Sequence, residues 1–138
     1  MMKNKFNNRV VNMDKEGYKL IKKHNYNKKN ILYVEIDGNK IQSWKEYIVE
    51  MEKYFKFPTD CTDNIDGYLD WMRDLSWLKK DGYFLVINNF NEFIKNNIEL
   101  KNKIVLLFRE VILPFWEEEV ENVVVEGKSK SFVLILVN

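Results

Sequence analysis

The chain has 138 residues, of which 46% are hydrophobic and 14% aromatic, enough apolar surface for one folded domain and too much for a disordered chain. No stretch approaches the roughly 20 apolar residues of a membrane span, and the first residues lack a signal-peptide core, so we expect a cytoplasmic protein without membrane contact. Cys61 and His24 are each the only residue of their type. We therefore expect no intrachain disulfide, no metal site and no cofactor.

Charge divides the sequence at residue 30. Residues 1–30 carry nine basic and two acidic residues, a net charge of +7, whereas residues 31–138 carry 13 basic and 19 acidic residues, a net charge of −6. An acidic body is a poor match for phosphates, so we expect it to bind no nucleic acid directly. We interpret residues 1–30 as a basic, solvated N-terminal extension and residues 31–138 as the folded domain. Lysine far outnumbers arginine and asparagine is abundant, which indicates an AT-rich bacterial genome.

The first predicted strand covers residues 31–37 and stops at Gly38, as a strand entering a turn does. Ser43 then stands three residues before Glu46, the spacing of a helix capping box. The first helix begins there and ends before Pro58. Its apolar face repeats at helical spacing and consists of Trp44, Tyr47, Ile48, Met51, Tyr54 and Phe55.

A second helix begins at either Asp63 or Asn64, both of which are good capping residues, and runs to about Leu75. The side chains expected to face inward are Ile65, Tyr68, Leu69 and Met72.

Strands and helices continue to alternate in the second half of the chain. Residues 83–87 predict a strand, and residues 89–94 (NFNEFI) predict a short helix that is started by an asparagine cap, at Asn89 or Asn91. A longer helix covers about residues 99–113 and should kink or end at Pro114. The continuously apolar residues 132–137 predict a strand covered on both faces.

This order of elements favours parallel pairing, because helical crossovers join parallel strands. We predict an α/β domain with a small three-stranded parallel sheet packed with about four helices. Residues 123–125 could add a C-terminal hairpin across Gly127.

Residues for common catalytic sites are scarce. A Ser-His-Asp or Cys-His arrangement would have to use His24, which lies in the basic extension. The sequence contains no zinc-protease, phosphate-loop or dinucleotide-binding motif. We therefore predict that the protein is not an enzyme.

Acidic residues recur along the second predicted helix. Asp66, Asp70 and Asp74 follow one another at intervals of four and so share one face, with Asp63 at the helix start. Such carboxylates are most often a solvated face. They could alternatively act with Glu110 in hydrolase chemistry or hold a metal ion, although no histidine or cysteine is placed to complete a metal site.

Four segments give these carboxylates a context. Residues 57–58 (FP) are followed by a short loop, by residues 64–70 (NIDGYLD) and by residues 74–78 (DLSWL), while residues 108–110 (FRE) lie on the last helix. From residue 31 to residue 137 the sequence resembles the barstar family, whose pattern is a proline, a loop, an N-x-D-x-x-x-D helix and a D-L-x-W-L ending. Residues 108–110 are similar to a segment that carries an edge glutamate in the family's founding member.

The resemblance implies a ribonuclease inhibitor, with an immunity or antitoxin role, that acts as a monomer in a 1:1 complex. The second helix and the preceding loop would enter the ribonuclease site, where carboxylates accept charge-assisted hydrogen bonds from phosphate-binding cations. Asp70 would be the central anchor and Asp66 its neighbour, with Asn64 fixing the loop and Glu110 adding an edge contact. The flanking residues would be Asp60, Asp63, Leu69 and Asp74.

The sequence departs from the family pattern where specificity would be set. The family's loop usually offers aromatic residues and a glycine, but residues 59–63 read TDCTD. The loss of an aromatic anchor and the gain of Asp60 indicate a more basic or differently shaped target. Arg73 also places a positive charge one turn from Asp70. The alternative function is therefore a barstar-fold binding module for a different basic partner, such as a toxin that is not a ribonuclease.

Overall fold

The computed structural model describes residues 8–25, 30–116 and 131–138. In this part of the chain, four parallel strands form one sheet in the order β1-β4-β3-β2. The strands are β1 (Arg9–Met13), β2 (Ile31–Asp37), β3 (Gly82–Asn88) and β4 (Ser131–Val137). The α-helices are α1 (Lys15–Asn25), α2 (Trp44–Phe55), α3 (Ile65–Met72) and α4 (Ile98–Leu107).

The fourth strand is the main correction to the predicted fold, which had three. β1 lies within the first 30 residues, which we interpreted as a solvated extension, and pairs in parallel with β4, with Val11 opposite Ile135 at its centre. A five-residue edge strand that includes Arg9 and Asn12 has too few apolar positions to be distinguished by its pattern. The division of the chain at residue 30 stays a prediction, although β1 shares a sheet with the later strands.

The two faces of the sheet carry separate apolar cores. The larger core lies under α2, α3 and α4, and the smaller core lies on the opposite face with Tyr18 of α1. Every residue of β4 is buried, as the continuously apolar run predicts for a strand covered on both faces.

Polar contacts fix α1 against the sheet. The Tyr18 hydroxyl donates to one oxygen of Glu35 at 2.7 Å, and the Lys22 ammonium donates to the other at 2.9 Å. Partial burial of Glu35 opposes ionisation, but these two hydrogen bonds, the charge of Lys22 and a hydrogen bond from Asn88 together outweigh it and lower the pKa of the carboxyl. The basic segment is therefore partly neutralised where it meets β2.

The first predicted helix corresponds to α2, which begins and ends where the sequence predicts. The Ser43 hydroxyl accepts the N–H of Glu46 at 3.1 Å, while the Glu46 carboxylate accepts the N–H of Gln42 at 2.7 Å. Four residues of the predicted apolar face are fully buried, whereas Tyr54 is exposed. The buried residues are Tyr47, Ile48, Met51 and Phe55.

The second predicted helix corresponds to α3, which is shorter than predicted. Asn64, and not Asp63, is its cap, with Oδ1 accepting the N–H of Gly67 at 2.9 Å. α3 ends at Met72 because Leu75 adopts a left-handed conformation with φ of 54°, and a 3-10 turn follows at Ser76–Leu78.

The last helix does not stop at Pro114. α4 continues as a π-helical segment, Phe108–Ile112, and then as a helical turn at residues 113–116. A proline ring crowds the carbonyl four residues earlier and offers no N–H, and the wider π-helical turn before Pro114 relieves that crowding. The predicted hairpin at residues 123–125 lies outside the described residues.

A short 3-10 turn, Phe90–Glu92, lies where the short helix is predicted, but Asn89 does not cap it with its side chain. Asn89 has a φ of 52°. Its side-chain amide instead donates to Asp37 at 3.0 Å, so the asparagine joins the carboxyl ends of β2 and β3.

Candidate protein-binding surface

Two indole rings hold the loop between α2 and α3. The Trp71 Nε1–H donates to the Thr59 hydroxyl at 2.9 Å, and the Trp44 Nε1–H donates to the Thr62 carbonyl at 3.0 Å. The loop is thus tied to α3 at one end and to α2 at the other. These tryptophans shape the surface, a role that the sequence analysis did not assign to them.

The middle of the loop turns inward at Cys61, which is 1% exposed. Its N–H donates to the Glu52 carboxylate at 2.6 Å, and its thiol is near the Thr59 carbonyl. Burial raises the pKa of the Cys61 thiol, so it is a protonated packing group. Partial burial, together with the neighbouring Asp60 carboxyl, also raises the pKa of Glu52.

Asp60 faces solvent and is held by its own loop. One carboxylate oxygen accepts the N–H of Thr62 at 2.8 Å and its hydroxyl at 2.6 Å. These hydrogen bonds favour the charged form and lower the pKa of Asp60. The carboxylate is therefore an oriented negative charge just before α3.

The predicted acidic residues are exposed around α3, opposite a buried inner face. Asp66 and Asp70 lie on the helix itself, while Tyr68 and Met72 on the inner side are fully buried. Asp63 and Asn64 are exposed at the start of the helix, and Leu69 is half-buried against the core.

Asp74 lies beyond the last residue of α3. Its carboxylate accepts the N–H of Ser76 at 3.1 Å and so bonds the first residue of the following 3-10 turn. The helical spacing predicted for three aspartates therefore holds for Asp66 and Asp70 only, because the chain leaves the helix before Asp74.

Tyr68 fixes α3 through a buried hydrogen bond. Its hydroxyl lies 2.6 Å from that of Tyr47, and both side chains are fully buried. Rings from three elements surround this pair in edge-on or tilted contacts. They belong to Trp44, Phe57 and Phe93.

The Tyr68→Phe variant should have a free energy of unfolding about 1–3 kcal/mol below that of the unsubstituted protein, because it leaves the Tyr47 hydroxyl buried without this hydrogen bond. Urea unfolding followed by tryptophan fluorescence measures the change. Tyr54→Phe is the matched control, since Tyr54 is 38% exposed and should change stability by less than about 0.5 kcal/mol. Equal effects of the two substitutions would contradict the role of the buried pair.

Asp70 has a partner within the chain. Arg73 Nη2 donates to its Oδ1 at 2.7 Å, and the Asp70 side chain remains 69% exposed. Arg73 also lies over the ring of Phe115, with its guanidinium carbon 5.7 Å from the ring centroid. These residues and Asp74 line a shallow depression of about 380 Å³.

The end of α4 completes this surface. The Trp116 Nε1–H donates to the Met72 carbonyl at 2.9 Å and so ties residues 113–116 to the end of α3. Glu110 is exposed on the π-helical segment, which packs against α3. Sequence reasoning missed Phe115, because no local pattern links it to a helix that ends more than 40 residues earlier.

A second depression, of about 420 Å³, opens between the start of α3 and α4. Asp63 and Lys103 bring opposite charges to its lining, and the other lining residues are mostly apolar. They are Trp44, Thr62, Ile65, Leu100, Ile104 and Leu107.

Within residues 8–25, 30–116 and 131–138, no group of three or more histidine, cysteine, aspartate or glutamate side chains is arranged to hold a metal ion. A search of the same ranges finds no helix with the length and apolar character needed to cross a bilayer. The feature that the geometry does offer is a group of exposed carboxylates on and beside an anchored helix, which can accept hydrogen bonds from cationic side chains.

A parallel sheet that carries an exposed acidic helix and an ordered loop defines a small α/β domain. The sequence profile of the barstar family, described as barstar (barnase inhibitor), matches residues 31–126 of this chain. The chain belongs to the barstar family, and the resemblance predicted from its sequence is confirmed. β1 and α1 precede the matched region, and β4 follows it. The comparison with curated proteins found no match.

Proposed function

We propose that this protein inhibits a secreted or toxin ribonuclease by placing α3 and the preceding loop in its active site. The observation that carries the proposal is the exposure of Asp66 and Asp70 on a helix whose inner face is fully buried, in a chain of the barstar family. A ribonuclease binds a polyanion through arginine, lysine and histidine, so carboxylates can occupy the positions of RNA phosphates. Catalysis by the inhibitor is not required.

The rigidity of the surface supports tight binding. Asn64 caps α3, Tyr68 anchors it from below, and Trp71 fixes the loop. A partner therefore meets groups that are already ordered, and little conformational entropy is lost on association. In this proposal Asn64 acts by holding the start of the helix, while Asp63, Leu69 and Glu110 flank the contact made by the helix carboxylates.

The proposed role is that of an immunity protein or antitoxin. It would act in the cytoplasm of the bacterium that makes the ribonuclease, as a monomer in a 1:1 complex without a cofactor. An acidic surface also speeds the encounter with a basic enzyme, which matters when a lethal nuclease must be captured quickly.

The loop favours one alternative, a binding module for a different basic partner. Asp60 is exposed and oriented by Thr62, while Cys61 turns inward. The loop therefore presents a negative charge, whereas the loop of the barstar family usually presents aromatic residues. A basic toxin that does not cleave RNA would fit this surface by the same electrostatic argument.

Inhibition of a barnase-type ribonuclease separates these functions. RNA cleavage should fall linearly as the protein is added and stop at one equivalent. The association rate should fall by roughly tenfold between low and moderate ionic strength, because salt screens the attraction between exposed charges. Stopped-flow fluorescence measures this rate.

The double variant Asp66→Asn/Asp70→Asn should lose most of this salt dependence, while Glu16→Gln on α1 should retain it. Inhibition that is not stoichiometric, or an association rate that is insensitive to salt, would contradict the proposal. Tight binding to a basic toxin without ribonuclease activity would support the alternative.

A further inference from the structure

The guanidinium of Arg73 is held by three groups. Its Nη2 donates to Asp70 at 2.7 Å, its Nε donates to the Leu69 carbonyl at 3.1 Å, and the group lies over the ring of Phe115. The Leu69 carbonyl is in the last turn of α3, where it also accepts the backbone N–H of Arg73 at 3.1 Å, and a cation at this end of a helix is stabilised by the helix dipole. The orientation of Arg73 is therefore set before any partner binds.

This arrangement changes what Asp70 presents to a partner. One of its carboxylate oxygens accepts from Arg73, and the side chain is still 69% exposed. A guanidinium has five N–H donors in a planar fork, and the contacts above use two of them. The depression beside α3 thus presents a carboxylate and a guanidinium side by side, with Asp74 and Phe115 completing its lining.

A partner cation that approaches Asp70 also approaches Arg73. Placing like charges together in an interface is strongly unfavourable, and natural interfaces use such repulsion to reject wrong partners. A partner carboxylate, in contrast, can accept two parallel hydrogen bonds from a guanidinium. The pair fits a partner surface on which an acidic side chain stands beside a cation.

We propose that Arg73 determines specificity at this surface, favouring a ribonuclease whose active-site rim carries a carboxylate beside its cations and disfavouring one that meets Asp70 with cations alone. This inference rests on the proposed function and names the chemistry of the partner. The Arg73 side chain is 32% exposed and that of Asp70 is 69% exposed. An ion pair of this spacing on a helix contributes little to stability, so we expect the fold to tolerate the replacement of Arg73.

The test measures the inhibition constants of the unsubstituted protein, Arg73→Ala and Arg73→Lys against a barnase-type ribonuclease, whose site binds RNA phosphates through cations. Arg73→Ala should inhibit about tenfold more tightly, because it removes the repelling charge. Arg73→Lys should behave as the unsubstituted protein does. Lys19→Ala is the matched control, since Lys19 and Glu16 form an exposed pair of the same spacing on α1.

Each outcome decides the inference. The inference is overturned if Arg73→Ala inhibits equally tightly or less tightly than the unsubstituted protein. It is also overturned if Arg73→Lys inhibits as Arg73→Ala does, since the geometry of the guanidinium and not its charge would then determine inhibition. Asp70→Ala in the otherwise unsubstituted chain tests the proposed function separately. If inhibition depends on Asp70 but not on Arg73, the proposed function stands and this inference fails; if neither the unsubstituted protein nor Arg73→Ala inhibits, both fail.

Discussion

The Asp70→Ala variant is expected to bind the proposed ribonuclease partner at least about 30-fold less tightly than the unsubstituted protein, which corresponds to the loss of about 2 kcal/mol or more that defines an interface hot spot. Asp70 stands on the outer face of α3, with a rigid backbone beneath it and an exposed carboxylate. Removing that carboxylate leaves the partner's cations without an acceptor. It also leaves Arg73 facing those cations without its own counter-charge, so both consequences weaken the complex.

Isothermal titration calorimetry measures this effect directly. Glu16→Ala is a suitable control, because it removes a carboxylate from an exposed pair three residues apart in α1, as Asp70→Ala does in α3. Thermal unfolding should show that both variants stay folded, since neither side chain is buried. If Asp70→Ala and Glu16→Ala bind equally well, Asp70 is not the anchor of the contact.

The Phe132→Ala variant is expected to lose about 3–5 kcal/mol of unfolding free energy, the usual loss for a fully buried phenylalanine. Phe132 lies on β4 and contacts four other aromatic rings. They belong to Phe55, Tyr83, Phe108 and Trp116. Because domains of this size are stable by only about 5–15 kcal/mol, the loss is a large part of the total.

Urea unfolding at equilibrium measures the loss. The matched control is Leu106→Ala, which truncates an apolar side chain that is 50% exposed on α4 and should change stability by no more than about 0.5 kcal/mol. Phe132→Leu should fall between the two, because it keeps most of the apolar volume. A Phe132→Ala loss as small as that of Leu106→Ala would mean that the larger core does not depend on this ring.

The helices that carry the candidate surface could be predicted from local chemistry. Ser43 and Asn64 each place a short side-chain oxygen directly before a run of apolar residues at helical spacing, and each caps the helix that follows. The acidic residues of α3 could be found for the same reason, since the helical period sets both its inner and outer faces. Their contact with a ribonuclease stays a prediction.

The features that escaped prediction depend on residues far apart in the sequence. β1 is a strand because β4 pairs with it, and nothing in residues 9–13 alone indicates that partner. Arg73 was seen as a charge near Asp70, but its position over Phe115 depends on how the end of α4 packs. In the same way, Asn89 looked like a helix cap and instead bonds Asp37 on a neighbouring strand. Local pattern predicts elements; packing decides which side chains meet.

The place of β4 in the sheet has a consequence for the order of events during translation. β4 lies between β3 and β1 although both precede it in the chain, and its pairing with β1 joins Arg9 to Val133. Such distant pairing is slow to form, and β1 cannot pair until the ribosome has synthesised β4. The larger core, on which α3 packs, also contains Phe132 of β4. A chain that is still being synthesised therefore lacks part of the core that supports α3. The proposed inhibition would therefore depend on copies of the protein that finished folding earlier.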